Sequence, residues 1–198
     1  MAKSQGLILW QLPMKRVLYG LIPAAVASIY FFGWRSLVIL ALVNAAGFLT
    51  EYLFVRLRGE PVSSAVFVTG TLLALSLPPA VPLWIAVVGV VFAVVFGKMV
   101  FGGFGRNVFN PALTGRVFIY VSFAVPLTAR WVQPLAGAGG ALALPAGWGG
   151  FTRFAADAVS GATSLRLLRA GQEVDILPLL WGNVSGRLGE TSAVLLLL

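Results

Sequence analysis

The strongest constraint on this chain is the stretch from Pro61 to Gly97, which carries no charged side chain. One helix needs about 20 apolar residues to cross the hydrocarbon of a bilayer, so this stretch is too long for a single crossing. It is divided at 76–82 by "SLPPAVP". Adjacent prolines fix φ, lack amide donors and disfavour helix at the residue before them. Spans are therefore predicted near 62–77 and 81–101. The first of these is short and interrupted by glycine, a pattern that often lines a binding site or pathway in membrane proteins. Comparable apolar runs occupy 17–34, 36–55 and 110–127, with Glu51 the one charge inside the second. The pattern predicts an all-α polytopic membrane protein with five transmembrane helices over 17–127, preceded by a cytoplasmic segment, 1–16.

Composition agrees with a bilayer as solvent. Hydrophobic residues make up 59% of the 198 residues and charged residues 10%, against about 25% charged in soluble domains. The net charge is +8. The basic residues flank the apolar runs and form no arginine stripe interleaved with aromatics, so no nucleic acid is expected as a partner. Lys15 and Arg16, Arg56 and Arg58, and Lys98 and Arg106 all mark one side of the membrane, and Arg35 the other. The positive-inside rule places the N-terminus in the cytoplasm and 128–190 outside the cytoplasm.

Residues 131–152 are also uncharged, but "LAGAGGALALPAGWGG" is too rich in Gly and Pro for a spanning helix. The segment 128–190 is expected to be an extracytoplasmic loop with little regular structure. "TSAVLLLL" at 191–198 then begins a sixth helix, and eight residues cannot complete one. Either the sequence is a fragment, which is the expectation, or its last piece docks on a partner.

There is no cysteine and no histidine in these residues. That excludes thiolate-held iron–sulfur clusters, His- or Cys-ligated haem and Cys/His zinc sites built from this chain alone. It also excludes Ser-His-Asp and Cys-His catalysis within it. No metal ligand set and no catalytic residue is identified. If the chain moves electrons, an organic cofactor must carry them.

Three constellations stand out. In "KMVFGGFGRNVFNPALTGR", 98–116, Gly102, Gly103 and Gly105 allow positive φ or close backbone approach, and Pro111 suits a first helical turn. A tight turn and a phosphate-binding loop both fit, the second weakly because the Walker lysine and serine are missing. Arg116, about one turn into the fifth span, is either a pathway charge or a side chain that snorkels to the headgroups. Whether Glu51 pairs with Arg116 is open at this level. The third is "DAVSGATSLR", 157–166, a polar interval in a greasy chain. Ser160-Gly161 reads as a turn, and Thr163 either caps a short helix or serves as an attachment point.

The stretch "DAVSGATS" resembles the motif for covalent flavinylation, Asp-x-x-Ser/Thr-Gly-Ala-Thr/Ser, with Asp157, Ser160, Gly161, Ala162 and Thr163 matching in order. Together with "IYFFGWRSL", "VTGTLLALSLPP", "FGGFGRNVFNPAL" and "GRLGETSA", it makes nearly the whole chain similar to the family of the Rnf complex D subunit. That family also holds the B subunit of the sodium-pumping NADH:quinone reductase. The resemblance implies half of an inverted-repeat fold and an FMN joined through its phosphate to Thr163 by a flavin transferase. It further implies a noncovalent riboflavin in the full-length protein. The partners it implies are the other membrane and peripheral subunits of an Rnf-type complex, within the lipid bilayer of a bacterial or archaeal inner membrane. Arg153 and Arg166 are candidates to balance the phosphodiester charge. The implied function is electron relay in a complex that moves Na⁺ or H⁺, with this chain not a complete enzyme alone. A cofactor-free channel and a structural anchoring subunit are the alternatives.

Overall fold

A computed structural model describes residues 7–128, 169, 171 and 186–189. Residues 157–163, most of the segment 128–190 and residues 191–198, where a sixth span is expected to begin, lie outside these residues. The fold is mostly helical. It comprises β1 (Ile8–Leu9), α1 (Leu12–Phe32), α2 (Trp34–Arg58), β2 (Val62–Ser63), α3 (Ala65–Leu75), α4 (Leu83–Val94), α5 (Pro111–Ser122) and α6 (Ala124–Thr128). A π-helical turn, Val95–Met99, extends α4.

Helices α1 and α2 are long and apolar enough to cross a bilayer. Helix α1 begins at Leu12, ahead of the expected start at 17, because its first turn accommodates Pro13. Lys15 lies over the Trp10 ring, 5.2 Å from its centroid. Gly33 ends the helix with φ 73° and donates its amide to the Ile29 carbonyl at 2.8 Å, a left-handed cap open to glycine. Helix α2 closes the same way at Gly59, φ 67°, and Arg56 and Arg58 in its last turn complement the helix dipole.

The third and fifth spans differ from the sequence expectation. The expected third span, 62–77, is helical only over the 11 residues of α3, a rise of about 16 Å or half the hydrocarbon thickness. The reasons are local: Ser63 Oγ accepts the Ala65 amide at 3.2 Å to start the helix, and the Pro-Pro pair ends it. The fourth is helical over 83–99. The expected fifth span, 110–127, is two pieces, α5 and α6. Pro126 has no amide for the Ser122 carbonyl four residues back, and its ring crowds that oxygen, so α5 stops at Ser122.

The chain forms two compact units, each assembled from separate stretches. The first takes residues up to 21, 40–74 and 83–122; the second takes 22–39, 75–82 and 123 onward. In the first unit, β1 and β2 pair in parallel, Ile8 opposite Val62, a small departure from an all-α fold. Trp10, Phe67, Phe48 and Tyr52 stack in succession at 6.1, 5.9 and 6.2 Å between centroids. Helices α4 and α5 approach closely because their contacts are glycines. A Cβ on Gly115 would lie 2.6 Å from the Gly89 carbonyl oxygen, and one on Gly97 2.8 Å from Pro111 Cα. Phe92 stacks on Phe118 at 3.8 Å beside this seam. In the second unit, Phe32, Ile39, Leu77 and Val81 are fully buried.

Candidate functional site

The polar centre of the first unit is a buried ion pair. Lys98 Nζ lies 2.6 Å from Glu51 Oε2, and both side chains are 2% exposed. Glu51 comes from the last two turns of α2, and Lys98 from the π-helical turn that ends α4. A π turn shifts the register of the residues after it, and such turns are frequent at functional sites. The second carboxylate oxygen, Glu51 Oε1, accepts the Ser63 amide at 2.9 Å. The carboxylate thus holds both the lysine and the strand that leads into α3. Gln11 adds a second tie: its backbone amide donates to Ser64 Oγ at 3.1 Å, and its side-chain Oε1 accepts from Ser63 Oγ at 3.1 Å.

Lys98 also lines a cleft of about 350 Å³, with Met14, Thr69, Phe104, Asn107 and Asn110 among the walls. One cationic group and two amides stand among mostly apolar walls. Each Glu51 oxygen accepts one hydrogen bond, from Lys98 Nζ and from the Ser63 amide, which offsets part of the cost of taking the pair out of water.

The sequence reading placed Lys98 among the charges that mark the cytoplasmic side and did not pair it. Its partner is Glu51. The clue was a lone acid and a lone base bordering long uncharged runs, since opposite charges next to apolar spans seek each other. Arg116 is half-buried on α5 and is not a wall of the cleft.

The glycine-rich segment forms a tight turn. Gly102, Gly103 and Gly105 have φ of 103°, 98° and 82°. The amides of Gly102, Gly103 and Arg106 donate to the Met99, Lys98 and Gly103 carbonyls. They are spent within the turn rather than presented to an anion. Asn110 Oδ1 accepts the Ala112 amide at 3.0 Å, so Asn110 caps α5 and Pro111 takes its first position. No group of three or more Asp, Glu, His or Cys residues able to hold a metal occurs among the described residues. Thr163, Asp157, Ser160, Gly161, Ala162, Arg153 and Arg166 lie outside the described residues.

Residues 10–198 match the NQR2, RnfD, RnfE family. The chain belongs to that family. It is similar to the D subunit of the ion-translocating oxidoreductase complex of Halorhodospira halophila, at 40% identity over 206 aligned residues, covering 93% of this chain and 57% of the relative. The protein of the same name from Escherichia coli K12 is 40% identical over 126 residues, 61% of this chain and 36% of the relative. The chain thus spans between about a third and somewhat over half the length of these curated relatives. Membership in the NQR2, RnfD, RnfE family agrees with the apolar helices α1 and α2 in describing a membrane protein.

Proposed function

We propose that this chain belongs to a membrane subunit of an ion-translocating electron-transport complex and relays electrons through FMN esterified to Thr163. The observation that carries the reading is the motif Asp157-x-x-Ser160-Gly161-Ala162-Thr163 in a chain of the NQR2, RnfD, RnfE family. Relatives at 40% identity are named as subunits of ion-translocating oxidoreductase complexes. A bound FMN supplies the redox chemistry, and the protein supplies attachment, orientation and local charge. The Thr163 hydroxyl is the point of attachment. Asp157, Ser160, Gly161 and Ala162 are the residues a flavin transferase recognises. Arg153 and Arg166 flank the motif in sequence and balance the phosphodiester charge. Covalent attachment keeps the cofactor on a segment outside the bilayer.

In this reading the protein sits in a bacterial or archaeal inner membrane, with its N-terminus in the cytoplasm and 128–190 on the opposite side. Five apolar segments lie within the bilayer, and the other subunits of the complex surround them. The coupling ion is Na⁺ or H⁺. The short helix α3 and the buried Glu51–Lys98 pair support a role for the membrane part beyond anchorage, because broken helices and intramembrane charges are the usual marks of ion and substrate paths.

The test is mass spectrometry of the tryptic peptide 154–166 from protein co-expressed with a flavin transferase. The reading predicts an FMN adduct on Thr163. An unmodified peptide, with the transferase active on a control substrate, contradicts it.

A further inference from the structure

The N-terminal end of the first unit carries an apolar surface that its own fold leaves uncovered. Leu7, Leu9, Trp10 and Leu12 are 48–73% exposed. They are held in place. The Val62 amide donates to the Leu7 carbonyl at 3.1 Å and the Ser64 amide to the Leu9 carbonyl at 3.0 Å, so β1 is fixed on β2. Successive side chains of a strand point to opposite faces. Ile8 is half-buried, and Leu7 and Leu9, on the other face, turn outward. Trp10 stacks on Phe67, and the Gln11 bonds to Ser63 and Ser64 fix the turn into α1. A surface ordered in advance binds without the entropy cost of being ordered.

Two observations say what covers it. The first is depth. Helix α1 begins at Leu12 and has 21 residues, a rise of about 31 Å that matches the thickness of the hydrocarbon. Its first residue then stands at the edge of the hydrocarbon, and β1 at the level of the headgroups. The second is charge. Lys15 and Arg16 lie near the start of α1, and Arg56 and Arg58 at the end of α2, just ahead of β2. Against these four bases, Glu60 is the one acid in 7–16 and 52–63. Arg16, Arg56 and Arg58 are exposed, and Lys15 lies over the Trp10 ring. Leu57, between the two arginines, is 89% exposed. The core of a protein–protein interface is depleted of charge. Trp and Leu beside Lys and Arg are instead the composition of segments that lie in the plane of a membrane interface.

We propose that residues 7–12 form an interfacial anchor: Leu7, Leu9, Trp10 and Leu12 enter the leaflet at this end of α1, and Lys15, Arg16, Arg56 and Arg58 bind the phosphates of anionic phospholipids around them. The segment ahead of the first span is thus part of the membrane contact. The anchor needs a bilayer and no flavin, so its test is independent of the electron-relay reading.

The test uses the full-length protein assembled with its partner subunits in nanodiscs of phosphatidylcholine and phosphatidylglycerol. A fluorophore is placed at Leu9→Cys and, in a second variant that serves if the first fails to assemble, at Leu12→Cys. One lipid or the other carries bromine on its acyl chains, which quenches on contact. Both labels are expected to be quenched by either brominated lipid. Per molecule, phosphatidylglycerol should quench more, by up to about fivefold for each basic residue in reach of a headgroup. Lys15→Gln combined with Arg16→Gln is expected to lower that preference severalfold and to leave quenching by phosphatidylcholine in place. Labels that brominated lipids leave bright overturn the proposal: quenching by aqueous iodide then puts the segment in water, and protection from both puts it under another protein. Equal quenching by the two lipids, or a preference unchanged by the double substitution, overturns the assignment to anionic headgroups.

Discussion

At Glu51 and Lys98 the polar groups held in apolar surroundings are side chains, and they pair with each other. At residues 75–81 they are backbone carbonyls, and they are satisfied by Arg35 and by the amides of Leu188 and Gly189. The difference is one of removability. A charged pair can be deleted as a unit, and apolar replacements of similar volume are often neutral. A carbonyl cannot be deleted, so its donor is indispensable wherever the backbone leaves a helix away from water. The first arrangement therefore points to a role that only charges serve, and the second to a structural requirement of the break after α3.

The largest effect expected from this contrast is at Lys98. Lys98→Met strands the Glu51 carboxylate in a buried site and should destabilise the protein by about 3–5 kcal/mol. Adding Glu51→Gln, which keeps an acceptor for the Ser63 amide, should recover most of that loss in thermal or denaturant unfolding in detergent. If the double variant is no more stable than Lys98→Met, the pair is not a removable unit.

Arg35→Met should come next, at about 2–3 kcal/mol, because it leaves the Pro79 and Val81 carbonyls without a charged donor. No single second substitution is expected to rescue it, and a stability equal to wild type would show that the turn finds other donors.

The smallest effect is at the Asn110 cap of α5, where a side chain satisfies a backbone amide near the surface. Asn110→Ala should cost about 1 kcal/mol, readable as a modest fall in the unfolding midpoint. A cost as large as that of Arg35→Met would remove the distinction between buried and exposed backbone that the comparison draws.

Much of the membrane part was legible because its signals are local. Charge-free length predicted apolar helices, the Pro-Pro pair predicted the break at 76–82, and Asn110-Pro111 predicted the start of α5. The misjudged features depend on contacts between distant residues or on a single ring. Pro126 divides the fifth span through a carbonyl four residues earlier, a local rule that the hydrophobic run concealed. The parallel pairing of Ile8–Leu9 with Val62–Ser63 joins positions too far apart for any periodicity to show. Lys98 looked like a topology marker because a π turn, invisible in the sequence, places its amine on Glu51. The hydrogen bonds from Leu188 and Gly189 to Leu77 and Leu75 leave no trace in composition, since their donors are main-chain amides. For the motif at 157–163 the support is its residue pattern and the family.

The most direct test of the central claim is in-gel flavin fluorescence after denaturing electrophoresis, comparing wild type with Thr163→Ala, each co-expressed with a flavin transferase. The electron-relay account predicts a fluorescent band that survives denaturation in the wild type and vanishes in the variant. A dark wild-type band, with intact protein and an active transferase, contradicts it, as does a band that persists in Thr163→Ala.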